Sequence, residues 1–305
     1  MNMLSNILYD MIYHSTPLIL AVLGGLFAYQ ANVLNIGLEG MMLMGAFASS
    51  LFVLLTGSLW LGILLSILCT LALGLVFSLF SVTLKSNFII TGFGINLFVS
   101  AFSSFVLKYM RMANINVSSV VDVSQLKINI PVIADLPILG SLFSGHTPIT
   151  YLSLLLIAVV HILLFKTRFG VYVRVVGENE EAAKSVGISS SKIKYSAILI
   201  GALFCALAGA NLSTERMALF TANMTAGRGF IAIAAIYCGK ANPVKTTLYA
   251  ILFGLAKSLA INLALVAGPI SGLFETVPYL AIVLVLFAVS AVEKKNTRLR
   301  GFGYE

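Results

Sequence analysis

Charge is what this sequence has least of. Only 10% of its 305 residues are Asp, Glu, Lys or Arg, against about 25% in soluble domains. An ordinary water-soluble domain is therefore excluded. No Lys or Arg occurs before Lys85. A secretory leader needs a basic first segment, so none is expected. Cysteine is equally sparse. Cys69, Cys205 and Cys238 each lie in an apolar run, without metal or disulfide spacing, and read as small buried hydrophobes. A phosphate-binding GxxxxGK[ST] loop is missing too. The nearest stretch, Gly239-Lys240-Ala241, lacks the hydroxyl and the upstream glycine. The chain is thus not expected to hydrolyse ATP, and no cofactor is expected in it. No metal cluster, nucleophilic triad or dinucleotide fingerprint appears.

What is present is apolar sequence. Hydrophobic residues make up 59% of the chain, and mean hydropathy is +1.02. Tyr151–Phe165, Ile193–Leu212, Leu248–Val266 and Val277–Val292 approach the roughly 20 residues that cross a bilayer core. Barrel strands are short and alternating, so the expected fold is all-α, a polytopic transmembrane bundle. About nine crossings are read, near 17–33, 36–56, 59–83, 88–108, 150–165, 193–213, 227–239, 245–267 and 273–291, with an interfacial helix over 3–13. The 227–239 crossing is too short to span. A broken or half-helix is expected there, continued by irregular backbone inside the bundle or beside a cavity.

Basic residues orient the bundle. With the 292–305 tail in the cytoplasm, 13 Lys and Arg fall inside and 5 outside, and Lys257 lies within a span. Cytoplasmic loops carry the basic excess, so the N-terminus is placed outside. This also explains the net charge of +8 without nucleic acid. Residues 1–305 read as one membrane domain, with a 109–149 outer loop and a 166–194 cytoplasmic loop.

The cytoplasmic loop contains "GENEEAAKSVG", residues 177–187. Glu178, Glu180 and Glu181 crowd a first helical turn, where the dipole favours anions. Glu180 and Lys184 are spaced i,i+4, and Gly187 supplies a C-terminal stop. A helix of about nine residues cannot hold itself in water. A helix docked on a partner protein and a merely solvated connection both fit.

Within the spans, the polar residues are few. Asn35 and Glu39 sit in "NIGLEG". A membrane carboxylate is costly and is a functional candidate by default, but Glu39 could equally cap a neighbouring helix near the cytoplasmic surface. Thr91 and Asn96, in "TGFGINLF", face either a polar solute or another helix. Arg228, in "GRGF", lines the outer mouth or pairs with Glu215 or Glu275. Phe230 could stack on a flat ring. Lys257 snorkels or pairs across helices. A pathway for ions or charged solutes would show rings or pairs of charge. Asn, Thr, Ser and Gly suit a neutral polar solute better.

Glu181-Ala182-Ala183-x-x-x-Gly187 resembles the EAA-x-x-x-G pattern of bacterial ABC importer permeases. In them this is the coupling helix that docks on the ATP-binding subunit. No Pro lies between Gly187 and Pro243, unlike the maltose-type branch. "VLNIGLEGMMLMGAFAS" (33–49), "FIITGFGINLF" (88–98), "FGVYVRVVGENEEAAKSVGIS" (169–189) and "GRGFIAIAAIYCGKANP" (227–243) resemble the branched-chain amino acid/ribose-type permease family, and within it the nucleoside permeases. The resemblance runs over about 17–291. It implies a non-catalytic subunit of the bacterial inner membrane and a second homologous permease chain. It also implies an ATP-binding subunit carrying ATP and Mg, an external substrate-binding lipoprotein and a nucleoside cargo. Glu178, Glu181, Ala182, Ala183 and Gly187 would form the coupling contact. Asn35, Glu39, Thr91, Asn96, Arg228 and Phe230 are the pathway candidates. A sugar importer of the same family is one alternative; an ion-coupled secondary transporter is another.

Overall fold

The computed structural model describes residues 3–131, 139–266, 271–274 and 276–301. Seven of its helices are long and apolar enough to cross a membrane. They are α1 (Met3–Gln30), α2 (Leu38–Thr56), α3 (Leu59–Ser78, prolonged by a π turn over Leu79–Thr83), α4 (Phe88–Tyr109), α6 (Pro148–Lys166), α9 (Ser190–Ala210, prolonged by a π turn over Asn211–Glu215) and α11 (Pro243–Val266). Helix α5 (Leu139–Phe143) precedes α6. Helices α7 (Arg168–Glu178) and α8 (Glu180–Ser185) lie between α6 and α9. Helix α10 (Arg228–Cys238) is short, as expected of the half-helix; α12 (Ser271–Phe274) is a single turn. In α13 (Val277–Gly301) the apolar part ends at Ala291. The nine expected crossings thus resolve into seven long spans and two short apolar helices among the described residues.

Two sequence expectations are corrected. The interfacial helix over 3–13 and the first crossing are one continuous helix, α1, with Pro17 inside it. Proline removes one backbone donor. The Ser15 and Thr16 hydroxyls bond the Met11 and Ile12 carbonyls at 2.6 and 2.9 Å, and burial on every side from Ser15 to Ala28 holds the helix together. The 166–194 segment, expected to hold one helix near 177–187, holds a second, α7, before it.

Helices α1 and α9 form the centre of the bundle. The middle of α1 is buried all round, and α9 is buried over most of its surface, with Leu203 exposed and Leu207 half-buried, so neither needs a polar stripe. Lipid tails are as apolar as Leu, so close packing rather than hydrophobic burial joins helices there. Small residues allow it: a Cβ on Gly45 of α2 would lie 2.7 Å from Ala206 Cα of α9. Helices α4 and α6 are peripheral and leave large apolar side chains uncovered. Beyond α9 the chain folds back into the bundle. There β2 (Leu219–Phe220) pairs antiparallel with β1 (Ile115–Asn116), Phe220 packs on Phe47, and irregular backbone over 221–227 leads into α10.

Candidate functional site

Two places gather the polar residues. The first is the turn around α8. Asn179 has extended backbone and ends α7, and its Oδ1 accepts from the Ala182 N–H at 2.9 Å as the cap of α8. At the other end the Gly187 N–H donates to the Lys184 carbonyl and the Ile188 N–H to the Ala183 carbonyl, both at 3.0 Å. That paired closure needs a left-handed residue, and Gly187 has φ +81°. The helix is therefore six residues, not nine, and Glu178 belongs to the exposed end of α7.

Such a short helix needs anchors. Ala183 is fully buried. Glu180 accepts from Lys184 at 2.8 Å and from Lys194 of α9 at 2.6 Å. These two ammonium groups draw the Glu180 carboxyl down to about 2. Its folded-state value is depressed, so its stabilising contribution is present above the ordinary carboxylate range, near 4.5, and is lost as pH falls towards 2. Anchoring of α8 should accordingly be constant from pH 6 to 9. Proteolysis at 179–189 that rose within that window would contradict this. Glu181, Ala182, Ser185, Val186 and Gly187 remain exposed, a small polar-and-apolar surface facing away from the bundle.

Helix α7 ties that surface to the bundle. It buries Gly170, Val173 and Val176, spaced three apart. Gly177 lies against the Gln30 carbonyl at the end of α1, where a Cβ would collide. The Gln30 amide in turn donates to the Ala241 carbonyl beyond α10 at 3.0 Å.

The second place is the start of α10. Glu39, in the first turn of α2, accepts from the Gly227 N–H at 2.8 Å and the Gly229 N–H at 2.6 Å. A helix start has unpaired donors and a positive dipole end, and the carboxylate answers both. Gly229 is required by the approach, since its Cβ would sit 2.5 Å from Glu39 Cα. Asn96 of α4 pins the preceding segment: its Oδ1 accepts from the Gly40 N–H at 2.7 Å and its Nδ2 donates to the Ile36 carbonyl at 3.1 Å. Asn96→Ala should lower stability by about 1–3 kcal/mol, read as an earlier thermal transition in detergent; an unchanged transition would remove this role.

The other candidates spread out. Asn35 is buried, with Nδ2 3.7 Å from Met41 Sδ and Oδ1 unpartnered. Thr91 donates to the Asn87 carbonyl of its own first turn at 3.0 Å. Arg228 does not pair with Glu215. Its Nη1 donates to the Met224 and Thr225 carbonyls at 2.9 and 3.0 Å, and Glu275 lies outside the described residues. Glu215 is fully buried and holds the start of α6, 3.3 Å from the Ile149 N–H, with Asn211 donating at 3.0 Å. Phe230 is exposed beside Phe93, ring centroids 6.2 Å apart. Lys257 lines a small cavity with His14, Arg228 and Tyr279 and makes no ion pair among the described residues. The sequence reading missed Asn179, Lys194 and Gly229. Asn before "EEAA" was a legible cap signal; the other two act across long sequence separations.

A multi-pass helical bundle with a capped helix outside its apolar spans is an arrangement that suits a membrane-transport subunit. The chain belongs to the family described as branched-chain amino acid transport system / permease component, whose profile matches residues 7–288. It is a multi-pass protein of the inner membrane. It is 32% identical to the nucleoside ABC transporter permease protein NupC of Lactococcus lactis, over 96% of both chains. It is 34% identical to the guanosine ABC transporter permease protein NupQ of Bacillus subtilis, over 90% of this chain and 86% of that one. A Haloferax volcanii chain, TsgC13, named provisionally as a glucose ABC transporter permease protein, is 32% identical over 98% and 95%. The first two organisms each contribute a second matching permease, named NupB and NupP.

Proposed function

We propose that this chain is the permease subunit of an ATP-driven importer that carries nucleosides inward, with its N-terminus outside and its C-terminus in the cytoplasm. The observation that carries the reading is the capped, anchored helix Glu180–Ser185 with an exposed Glu181-Ala182 surface. Family membership and the cargo named for NupC and NupQ support it. The whole chain forms one membrane domain and performs no bond chemistry. ATP and Mg bind the ATP-binding subunit, which docks on α8. A second, homologous permease completes the pathway, and an external lipoprotein delivers the solute.

Mechanically, ATP-driven closure of the docked subunits moves α8. The Glu180–Lys194 pair makes α8 move with the start of α9. Helix α7 passes the displacement to the end of α1 at Gln30, and Gln30 to the turn after α10. Glu39 holds the far end of α10 to α2. The half-helix is thus gripped at both ends, and α8 can shift the grip after its last turn.

The test is transport by the chain with its partner subunits in proteoliposomes. ATP-dependent uptake of labelled guanosine or adenosine, unaffected by excess glucose or ribose, is expected. Uptake of glucose or ribose alone would transfer the reading to a sugar importer. Nucleoside uptake driven by an ion gradient without ATP would overturn the importer class.

A further inference from the structure

The exposed edge between α4 and the 221–227 segment is unsuited to lipid. Ser100 Oγ donates to Asn223 Oδ1 at 2.6 Å. Ser100 is the thirteenth residue of a 22-residue helix. At 1.5 Å per residue it lies about 18 Å from one end and about 14 Å from the other, the middle of a bilayer core about 30 Å thick. Asn223 is exposed at that depth, and its amide nitrogen has no partner among the described residues. Its neighbours Ala222 and Ala226 are also exposed, in backbone that is not helical. Irregular backbone at membrane depth survives only when covered by protein or when it lines water, because hydrocarbon offers its polar groups no partner. Leu97, 71% exposed, marks the apolar rest of this face.

Phe93 lies seven residues before Ser100, two turns along the same side of α4, and Phe230 is next to it. Both rings are half exposed, 48% and 41%. One edge of the chain therefore offers a pair of aromatic faces and, about 10 Å away, an unsatisfied amide with a hydroxyl. A flat heterocycle joined to a hydroxylated sugar needs both kinds of contact.

We propose that Ser100 and Asn223, with Phe93 and Phe230, line the water-filled solute path, and that the Ser100–Asn223 pair discriminates among nucleosides by their hydroxyl groups. The cargo part rests on the importer reading above; the wet edge does not. A polar pair that bonds a solute hydroxyl rejects the analogue lacking it far more strongly than an apolar wall does.

The test uses the chain assembled with its partner subunits, in a Cys69→Ser background. Ser100→Cys is treated with a charged, membrane-impermeant thiol reagent, and Ser119→Cys, exposed in the 109–149 segment and away from the proposed docking surface on α8, is the positive control. Labelling of Ser100→Cys, slowed several-fold by saturating guanosine, is expected. An unlabelled Ser100→Cys beside a labelled Ser119→Cys overturns the wet edge. Ser100→Ala and Asn223→Gly, the latter keeping the left-handed backbone (φ +56°), should each change the ratio of ribonucleoside to deoxyribonucleoside uptake at least fivefold. An unmoved ratio with normal uptake overturns the discriminating role. If Ser100→Cys labels in a complex that carries no nucleoside, the nucleoside reading fails while the wet edge stands.

Discussion

Glu39→Ala is expected to lower the stability of the bundle by about 3–6 kcal/mol and to abolish transport. Two N–H groups, those of Gly227 and Gly229, donate to this one carboxylate. A hydrogen bond to a charged group is worth about 1.5–3 kcal/mol, and no water replaces it inside a bilayer. Against a total stability of about 5–15 kcal/mol, that loss is severe. Glu39→Gln should fall between: it keeps one acceptor oxygen but turns an amide donor towards the second N–H. Gly229→Ala attacks the same joint by volume, because its methyl would meet the Glu39 backbone. Thermal unfolding in detergent ranks the three variants. A Glu39→Ala protein that melts and transports like the wild type would mean that the half-helix needs no anion at its start.

The double variant Glu181→Arg with Gly187→Arg should behave in the opposite manner, leaving the fold and removing the drive. Both positions are exposed, and a Cβ on Gly187 would meet nothing within 4 Å. Holding Arg at φ +81° costs about 1 kcal/mol, which the anchors of α8 can absorb. The proposed docking surface, however, changes charge and shape together. A loss of about 3 kcal/mol in docking is roughly a hundredfold in affinity, so uptake should fall at least that far while the melting transition moves little. Glu180→Gln separates the two effects, since it loosens α8 from Lys194 without altering the exposed face. Unchanged uptake by the double variant would remove α8 from the coupling path.

The spans were legible because crossing hydrocarbon demands long apolar runs, and the chain has few interruptions. The half-helix was legible for a related reason: Gly227 and Gly239 bracket a run too short to cross. Helix α7 was not. Its "RFGVYVRVVGE" is rich in Val, which disfavours isolated helices, and packing of Val173 and Val176 overrides that preference. The break at Asn179 could have been read from the cap chemistry of "NEEAA". The partner of Glu39 could not, because Gly229 is 190 residues away and nothing local marks which helix start a carboxylate will reach. Continuity through Pro17 was hidden for the same reason: a proline usually ends a helix, and the surrounding bundle keeps this one continuous.

Co-purification from native membranes shows whether α8 joins this permease to an ATP-binding subunit. Wild type and the Glu181→Arg/Gly187→Arg variant are extracted side by side, with equal insertion and equal melting established first. An ATP-binding protein that accompanies the wild type and is lost from the variant is the predicted result. Intact wild-type protein that brings no ATP-binding protein with it, or a variant that retains the same one in full, would contradict the account.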